Sequence, residues 1–138
     1  MEKEIFIYDQ KYNDYIAIIN NIEFSISHLP TESEFNYIKT LSESYEKNLN
    51  EIANYMLSND KFKIFFDCLN ITLNELVNLL DIPNIRIMNE NQASITYCNH
   101  KLDKTHIISF EFIGIFEKFA YLSIDGWWKD VFIWNGNM

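Results

Sequence analysis

Four residues within one short stretch have side chains that can bind a metal ion: Cys98, His100, Asp103 and His106. Zinc in proteins takes thiolate sulfur and imidazole nitrogen ligands that converge in a tetrahedron. A β-hairpin within this stretch would bring its two ends together and place Cys98 near His106. The spacing matches no standard zinc motif, and a polar hairpin loop that contains histidine is the simpler interpretation. We therefore predict no metal site and no cofactor.

The residue types needed for nucleophilic catalysis are present but form no known motif. The chain has three histidines and lacks Gly-x-Ser-x-Gly, a glycine-rich phosphate loop and His-Glu-x-x-His. Twenty acidic residues make a chance pair of carboxylates expected, so such a pair would carry no information. The sequence thus predicts no catalytic residue, and we expect a protein that is not an enzyme. A metal-dependent enzyme using Cys98, His100 and His106 is the alternative that stays open.

All three tryptophans of the chain lie within residues 127–134, close to acidic residues. Because adjacent residues of a strand point to opposite faces, an extended segment would bury Trp127 or Trp128 and expose the other. An exposed tryptophan beside carboxylates is typical of a contact with a partner that carries Lys or Arg. The alternative is a bend at Gly126 that lets both rings close the core. The predicted partner-binding residues are Asp125, Trp127, Trp128 and Asp130.

The charge balance of the chain restricts its partners. Eleven basic against twenty acidic residues give a net charge of −9, which repels nucleic acids and anionic membranes and attracts basic proteins. A hydrophobic content of 48% over 138 residues is typical of one packed domain, here residues 1–138. No apolar run is long enough to span a membrane, and the N-terminus lacks a signal-peptide pattern. We expect a cytoplasmic protein with no nucleic-acid or membrane partner.

Hydrophobic periodicity predicts the elements that position these residues. Residues 5–8, 15–19 and 22–27 predict strands, the last two joined by a tight turn at Asn20-Asn21. Capping boxes, Thr31 with Glu34 and Thr72 with Glu75, predict two helix starts. A continuous apolar stripe over residues 35–56 predicts one long helix, and shorter stripes predict two short helices at 62–69 and 73–80.

After the helices the hydrophobic period changes to two. Residues 85–88, 93–98, 106–113 and 119–124 predict strands whose short connections favour antiparallel neighbours. Strands that are grouped apart from helices are typical of the α+β class. We predict an antiparallel β-meander sheet with an N-terminal β-hairpin, and a long helix plus two shorter helices packed on one face.

The order of these elements also resembles a known family. The matching segments are the helix at Thr72–Leu76, Ile85-Arg86-Ile87, the Thr96-Tyr97 strand, the strand from His106 to Phe112 and the ending from Ser123 to Trp127. In this layout the chain is similar, over most of residues 1–127, to a family of small uncharacterised bacterial α+β domains. Members resemble, in size, acidity and layout, the immunity proteins that neutralise polymorphic or contact-dependent toxins. The resemblance implies such a role and transfers no functional residue.

Charge, size and this resemblance together predict a non-enzymatic acidic binding module. Its expected partner is a basic protein, such as a toxin domain whose site an immunity-type protein would occlude. The alternative is a stand-alone structural or regulatory domain of unknown function. A monomer and a homodimer joined through an edge strand are both compatible with the sequence.

Overall fold

The described part of the chain is built around a seven-stranded sheet whose strands lie in the order in which they occur in the sequence. The computed structural model describes residues 5–66 and 70–126. The strands are β1 (Ile7–Asp9), β2 (Asp14–Ile19), β3 (Ile22–Ile26), β4 (Asn84–Asn89), β5 (Gln92–Tyr97), β6 (His106–Ile113) and β7 (Lys118–Gly126). All neighbouring strands are antiparallel except β3 and β4, which are parallel.

The helices connect β3 to β4 and lie on one side of the sheet, which confirms the predicted α+β class. They are α1 (Glu32–Ser44), α2 (Leu49–Ser58), α3 (Asp60–Phe65) and α4 (Leu73–Leu80). Both predicted capping boxes are present, at the starts of α1 and α4. No helix among the described residues is both long and apolar enough to cross a membrane.

The single long helix expected from the stripe at residues 35–56 is divided in two. Helix α1 ends at Ser44, a 3₁₀ turn spans Glu46–Asn48, and α2 follows. The side-chain amide of Asn48 donates to the Ser44 carbonyl at 2.8 Å, which satisfies an acceptor that the helix end releases. Apolar residues of both α1 and α2 are buried. The apolar stripe therefore continues across the break, and hydrophobic periodicity could not predict where α1 ends.

Alternation along the central strands separates the two faces of the sheet. Phe24, Ile85, Ile95 and Phe110 are register partners in a row across β3 to β6, and all are buried. The adjacent row, Ser25, Arg86, Ser94 and Glu111, therefore points to the opposite face. We call the face of this second row the open face, because the helices pack against the first row.

An aromatic cluster of Tyr55, Phe110 and Phe119 fixes α2 to the last two strands. The ring of Tyr55 stacks on Phe119 with centroids 5.2 Å apart and lies 5.1 Å from Phe110. Phe110 and Phe119 meet edge to face at 5.8 Å. The Lys61 ammonium of α3 also donates to the Leu122 carbonyl of β7 at 3.1 Å. These contacts set the position of β7, the strand that carries Asp125.

Candidate protein-binding surface

The open face has an excess of acidic side chains. Strand register places on it five carboxylates and two cations among the described residues: Asp9, Asp14, Glu23, Glu111 and Asp125 against Arg86 and Lys118. Serine, threonine and asparagine fill much of the space between these charges, with Asn84, Thr96, Ser109 and Ser123 in one register row. A polar surface with a negative excess favours the approach of a basic protein.

One cation is already used within this face. The Arg86 guanidinium on β4 reaches across β3 to the Asp14 carboxylate on β2, with Nη1 and Oδ2 2.6 Å apart. The Arg86 side chain is 45% exposed and that of Asp14 is 16% exposed, so solvent screens the pair from the Arg86 side and its contribution is about 1 kcal/mol. Its main effect is to neutralise Asp14 and Arg86 as contact charges.

Two of the remaining carboxylates of the open face accept hydrogen bonds from neutral groups. Glu111 accepts from the Gln92 amide at 3.2 Å, and Asp125 accepts from the Ser123 hydroxyl at 3.2 Å. Within residues 5–66 and 70–126, no Lys or Arg forms a salt bridge with Glu23, Glu111 or Asp125. No cation of the described residues therefore pairs with these three negative charges, which favour the approach of a cationic partner.

The predicted partner-binding residues are only partly covered by the structure. Asp125 is exposed and lies on the open face, with Ile107 of β6 as its register partner. Trp127, Trp128 and Asp130 lie outside the described residues. Glu23 and Glu111 share a face with Asp125 and were missed in the sequence. In the sequence, Glu23 and Glu111 each stand between apolar residues of a predicted strand, which indicates that they point away from the core. Strand order is also needed to show that they share a face with Asp125.

An apolar area occupies the β1 end of the open face. We define the isoleucine patch as Ile5, Ile7, Ile16 and Ile18. Ile7 is 72% exposed and Ile18 is 71% exposed, although both belong to strands. The patch surrounds a shallow cavity of about 780 Å³ that Tyr8, Asp9 and Gln10 complete. Sequence periodicity did not distinguish this patch from core, because β-branched residues also fill buried strands.

The predicted cluster of metal-binding residue types forms a structural loop. His100 is buried, its Nε2 donates to the His106 carbonyl at 2.7 Å, and its Nδ1 accepts from the Leu102 amide at 3.1 Å. Both ring nitrogens are thus engaged with backbone, which fixes the neutral tautomer. Over the part of the chain that the structure describes, no three His, Cys, Asp or Glu residues form a group that could hold a metal ion.

Cys98 and His106 do not come together at the ends of the hairpin. The Cys98 thiol is close enough to the Glu23 carboxylate, on the open face, for this negative charge to disfavour the thiolate. The His106 ring instead packs edge to face on Phe65 of α3, with centroids 4.6 Å apart. Burial raises the pKa of the Cys98 thiol and Glu23 raises it further, so little reactive thiolate forms at neutral pH. The arrangement suits neither metal binding nor nucleophilic catalysis.

Two carboxylates on the helix side have lowered pKa values. Burial alone would raise the pKa of Asp103, but hydrogen bonds from the His106 ring and from the Thr105 and His106 amides lower it overall. Burial would likewise raise the pKa of Glu34, yet the Thr31 amide and the His28 ring lower it overall. Both carboxylates are therefore stabilised in the charged form in the folded protein.

This arrangement predicts a specific dependence of stability on pH. A lowered pKa contributes stability above the unfolded value and loses it as pH falls through the folded value. We expect the double variant Glu34→Gln/Asp103→Asn to be less stable than wild type at pH ~7, and the difference to shrink below pH ~4. Urea unfolding at both pH values measures it. A difference that stays constant or grows on acidification would contradict this assignment.

A second cavity, of about 780 Å³, lies on the helix side between the β2–β3 turn, the end of α1 and α4. Its lining includes Glu43, Glu46 and Asp81. Asp81 has φ 62° and ψ −161°, a backbone conformation that is almost restricted to glycine. The side wall also includes Tyr45, whose hydroxyl lies 2.5 Å from that of Tyr97. The cavity therefore lies beside one member of a buried tyrosine pair.

Comparisons of the chain with family models, with curated proteins and with solved structures gave no match. The chemistry of its own surface is therefore what bears on its function. That surface combines an acidic open face, an apolar patch at one edge and Asp125 at the other.

Proposed function

We propose that the protein is a non-enzymatic acidic binding module that recognises a basic protein through the open face of its sheet. The observation that carries the proposal is a set of three carboxylates on that face, Glu23, Glu111 and Asp125, which form no salt bridge within residues 5–66 and 70–126. Charges of this kind steer association and exclude wrong partners more than they add affinity. The net charge of −9 also attracts a basic protein, over longer distances than these single carboxylates do.

The finer form of the proposal is an immunity-type inhibitor that occludes the site of a basic toxin domain. Trp127, Trp128 and Asp130 lie within five residues of Asp125 in the sequence, and we propose the two tryptophans as anchors beside the acidic face. Large aromatic side chains supply most of the affinity at interfaces of this type. The proposed compartment is the cytoplasm, where a thiol such as that of Cys98 stays reduced.

The experiment compares two triple charge reversals with equal change in net charge. Glu23→Lys/Glu111→Lys/Asp125→Lys alters the open face, and Glu43→Lys/Glu46→Lys/Glu51→Lys alters exposed residues of the helix layer. Each tag-free protein is used to retain partners from lysate of the native cell, identified by mass spectrometry. We expect one basic protein to be retained by wild type and by the helix-layer variant, with affinity for the open-face variant reduced at least ~100-fold.

Measurements at several salt concentrations and the helix-layer control variant distinguish charge-dependent binding through the open face from other binding. Because screening weakens steering between opposite charges, affinity for the partner should fall as ionic strength rises. Circular dichroism and thermal unfolding confirm that both variants are folded. Retention of an acidic partner, or no retention at all, would overturn the proposed partner class. Loss of binding only in the helix-layer variant would move the binding surface to the other side of the molecule.

A further inference from the structure

The isoleucine patch is continuous with the charged part of the open face. Ile7 and Ile16 are register partners, and Ile18 lies two residues further along β2, so all three point to the same face. Ile18 is in turn the register partner of Glu23, one of the three carboxylates of the proposed contact surface. The apolar patch and the acidic surface therefore meet between β2 and β3.

The isoleucines of the patch are strongly exposed and adjoin one another. Ile7 and Ile18 are 72% and 71% exposed, and Ile5, which precedes β1, is 41% exposed. Single apolar residues are common on protein surfaces, but contiguous apolar residues with a polar border mark interaction sites. The patch is therefore suited to an occupant that brings apolar side chains.

Acidic residues border the patch on two sides. The register pair Asp9 and Asp14 lies at one end of it, and Glu23 lies beside it on β3. Arg86 compensates Asp14, but no Lys or Arg of the described residues forms a salt bridge with Asp9 or Glu23. The ammonium of Lys11, in the turn after β1, lies over a neighbouring tyrosine ring. This border favours a cationic occupant and repels a second copy of a chain with net charge −9.

The dimensions of the patch match the apolar stripe of a helix. Its isoleucines lie on two strands ~5 Å apart and in rows ~7 Å apart along each strand. An extended segment has its same-face residues in a single row, so it would contact one row of the patch. A helix presents apolar residues at i, i+3, i+4 and i+7, a stripe two residues wide and ~10 Å long. Basic residues one turn beyond the stripe, ~5 Å further, come level with the bordering carboxylates.

We propose that the isoleucine patch docks the apolar stripe of a basic amphipathic helix, whose Lys or Arg residues pair with Asp9 and Glu23. This inference rests on the proposed recognition of a basic protein and names the element that the partner contributes. Apolar contacts at the patch supply most of the affinity, while the carboxylates set the direction of approach and the orientation of the helix. The surface from Glu111 to Asp125 stays accessible to the rest of the partner.

The test uses synthetic peptides of about 14 residues, or four helical turns, with binding measured by isothermal titration calorimetry. The striped peptide has leucine at i, i+3, i+4 and i+7 among lysines. The scrambled peptide has the same composition without a stripe, and the acidic peptide has glutamate in place of each lysine. We expect wild type to bind the striped peptide at least ~10-fold more tightly than either control peptide, with an affinity that falls as salt rises.

Two variants with unchanged net charge locate the binding on the protein. Ile7→Thr/Ile18→Thr makes the patch polar, and Ile64→Thr/Ile113→Thr makes the same change at exposed isoleucines elsewhere. Threonine is β-branched, so it keeps the strand preference at both patch positions. The patch variant should bind the striped peptide at least ~10-fold more weakly, whereas the control variant should differ from wild type by less than ~2-fold.

The outcomes distinguish helix docking from the proposed function. Equal affinity for the striped and scrambled peptides, lost only in the Glu23→Lys/Glu111→Lys/Asp125→Lys variant, would overturn helix docking and leave recognition by charge in place. Binding that depends on Ile7 and Ile18 but on neither charge nor salt would contradict both proposals. No binding of the striped peptide at ~1 mM would overturn helix docking alone.

Nuclear magnetic resonance of the wild-type protein provides a measurement that does not depend on the folding of a variant. The striped peptide should shift the methyl signals of Ile7, Ile16 and Ile18 and leave those of the buried Ile85 unchanged. A peptide-free dimer that contacts these methyl groups would assign the patch to a second copy of the chain. Contacts between them and the aromatic rings of residues 127–134 would assign it to the chain's own C-terminal segment. Either result would overturn the proposal.

Discussion

Replacing Phe110 with alanine is expected to lower the free energy of unfolding by about 4 kcal/mol. Phe110 is 2% exposed, belongs to the buried row of the sheet and contacts both other members of the aromatic cluster. Its removal leaves a cavity between α2 and the sheet, because Tyr55 and Phe119 are held by neighbouring elements and cannot fill it. Since whole domains are stable by ~5–15 kcal/mol, this is a large fraction of the total.

The matched control is Phe110→Leu, which keeps most of the buried volume and should cost less than about 1.5 kcal/mol. Urea unfolding monitored by far-ultraviolet circular dichroism measures both variants under the same conditions. A cost below ~1 kcal/mol for the alanine variant would mean that the cluster is loosely packed. In that case the cluster would not hold β7, and the position of Asp125 would need another explanation.

The second large effect concerns the hydroxyls of Tyr45 and Tyr97, which are 2.5 Å apart. Burial raises the pKa of both tyrosines, so both hydroxyls keep their protons at neutral pH. Tyr45→Phe leaves the hydroxyl of Tyr97, a fully buried residue, without its partner, at a cost of ~1–3 kcal/mol. Tyr97→Phe should cost less than ~1 kcal/mol, because Tyr45 is 7% exposed and lines a cavity, so it lies nearer to solvent than Tyr97, which is 0% exposed.

A double-mutant cycle measures this difference. The variant Tyr45→Phe/Tyr97→Phe removes both hydroxyls and should be more stable than Tyr45→Phe alone, because no buried hydroxyl is left unsatisfied. Thermal and urea unfolding of the three variants and wild type give the coupling energy. Equal costs for the two single variants, or a larger cost for Tyr97→Phe, would show that solvent reaches the hydroxyl of Tyr45 no better than that of Tyr97.

Local sequence signals predicted the elements of the fold well, since each depends on a few neighbouring residues. The Thr31–Glu34 capping box and the Asn20-Asn21 turn satisfy backbone groups within their own segments. Strand order and direction depend instead on contacts between distant segments. The parallel pair of β3 and β4 had no local signal, and neither did the break near Ser44, where the apolar stripe continues.

The candidate surface was predictable only in part for the same reason. Asp125 stood out because of the adjacent tryptophans, whereas Glu23 and Glu111 lie far away in sequence and join it only through strand register. The expected approach of Cys98 to His106 was wrong because side chains alternate between the two faces of a sheet. A hairpin brings two backbones together, but alternation decides which side chains share a face, and these two belong to different faces.

The parallel pairing of β3 with β4, here called the seam, has a consequence for the order of folding. Strands β1 to β3, and strands β4 to β7, each form from neighbours along the chain. The seam instead joins Phe24 to Ile85, and all four helices lie between them. Closing so long a connection costs chain entropy before any seam contact forms. We expect two meanders that nucleate separately, with the seam completed last, as the helices pack across both.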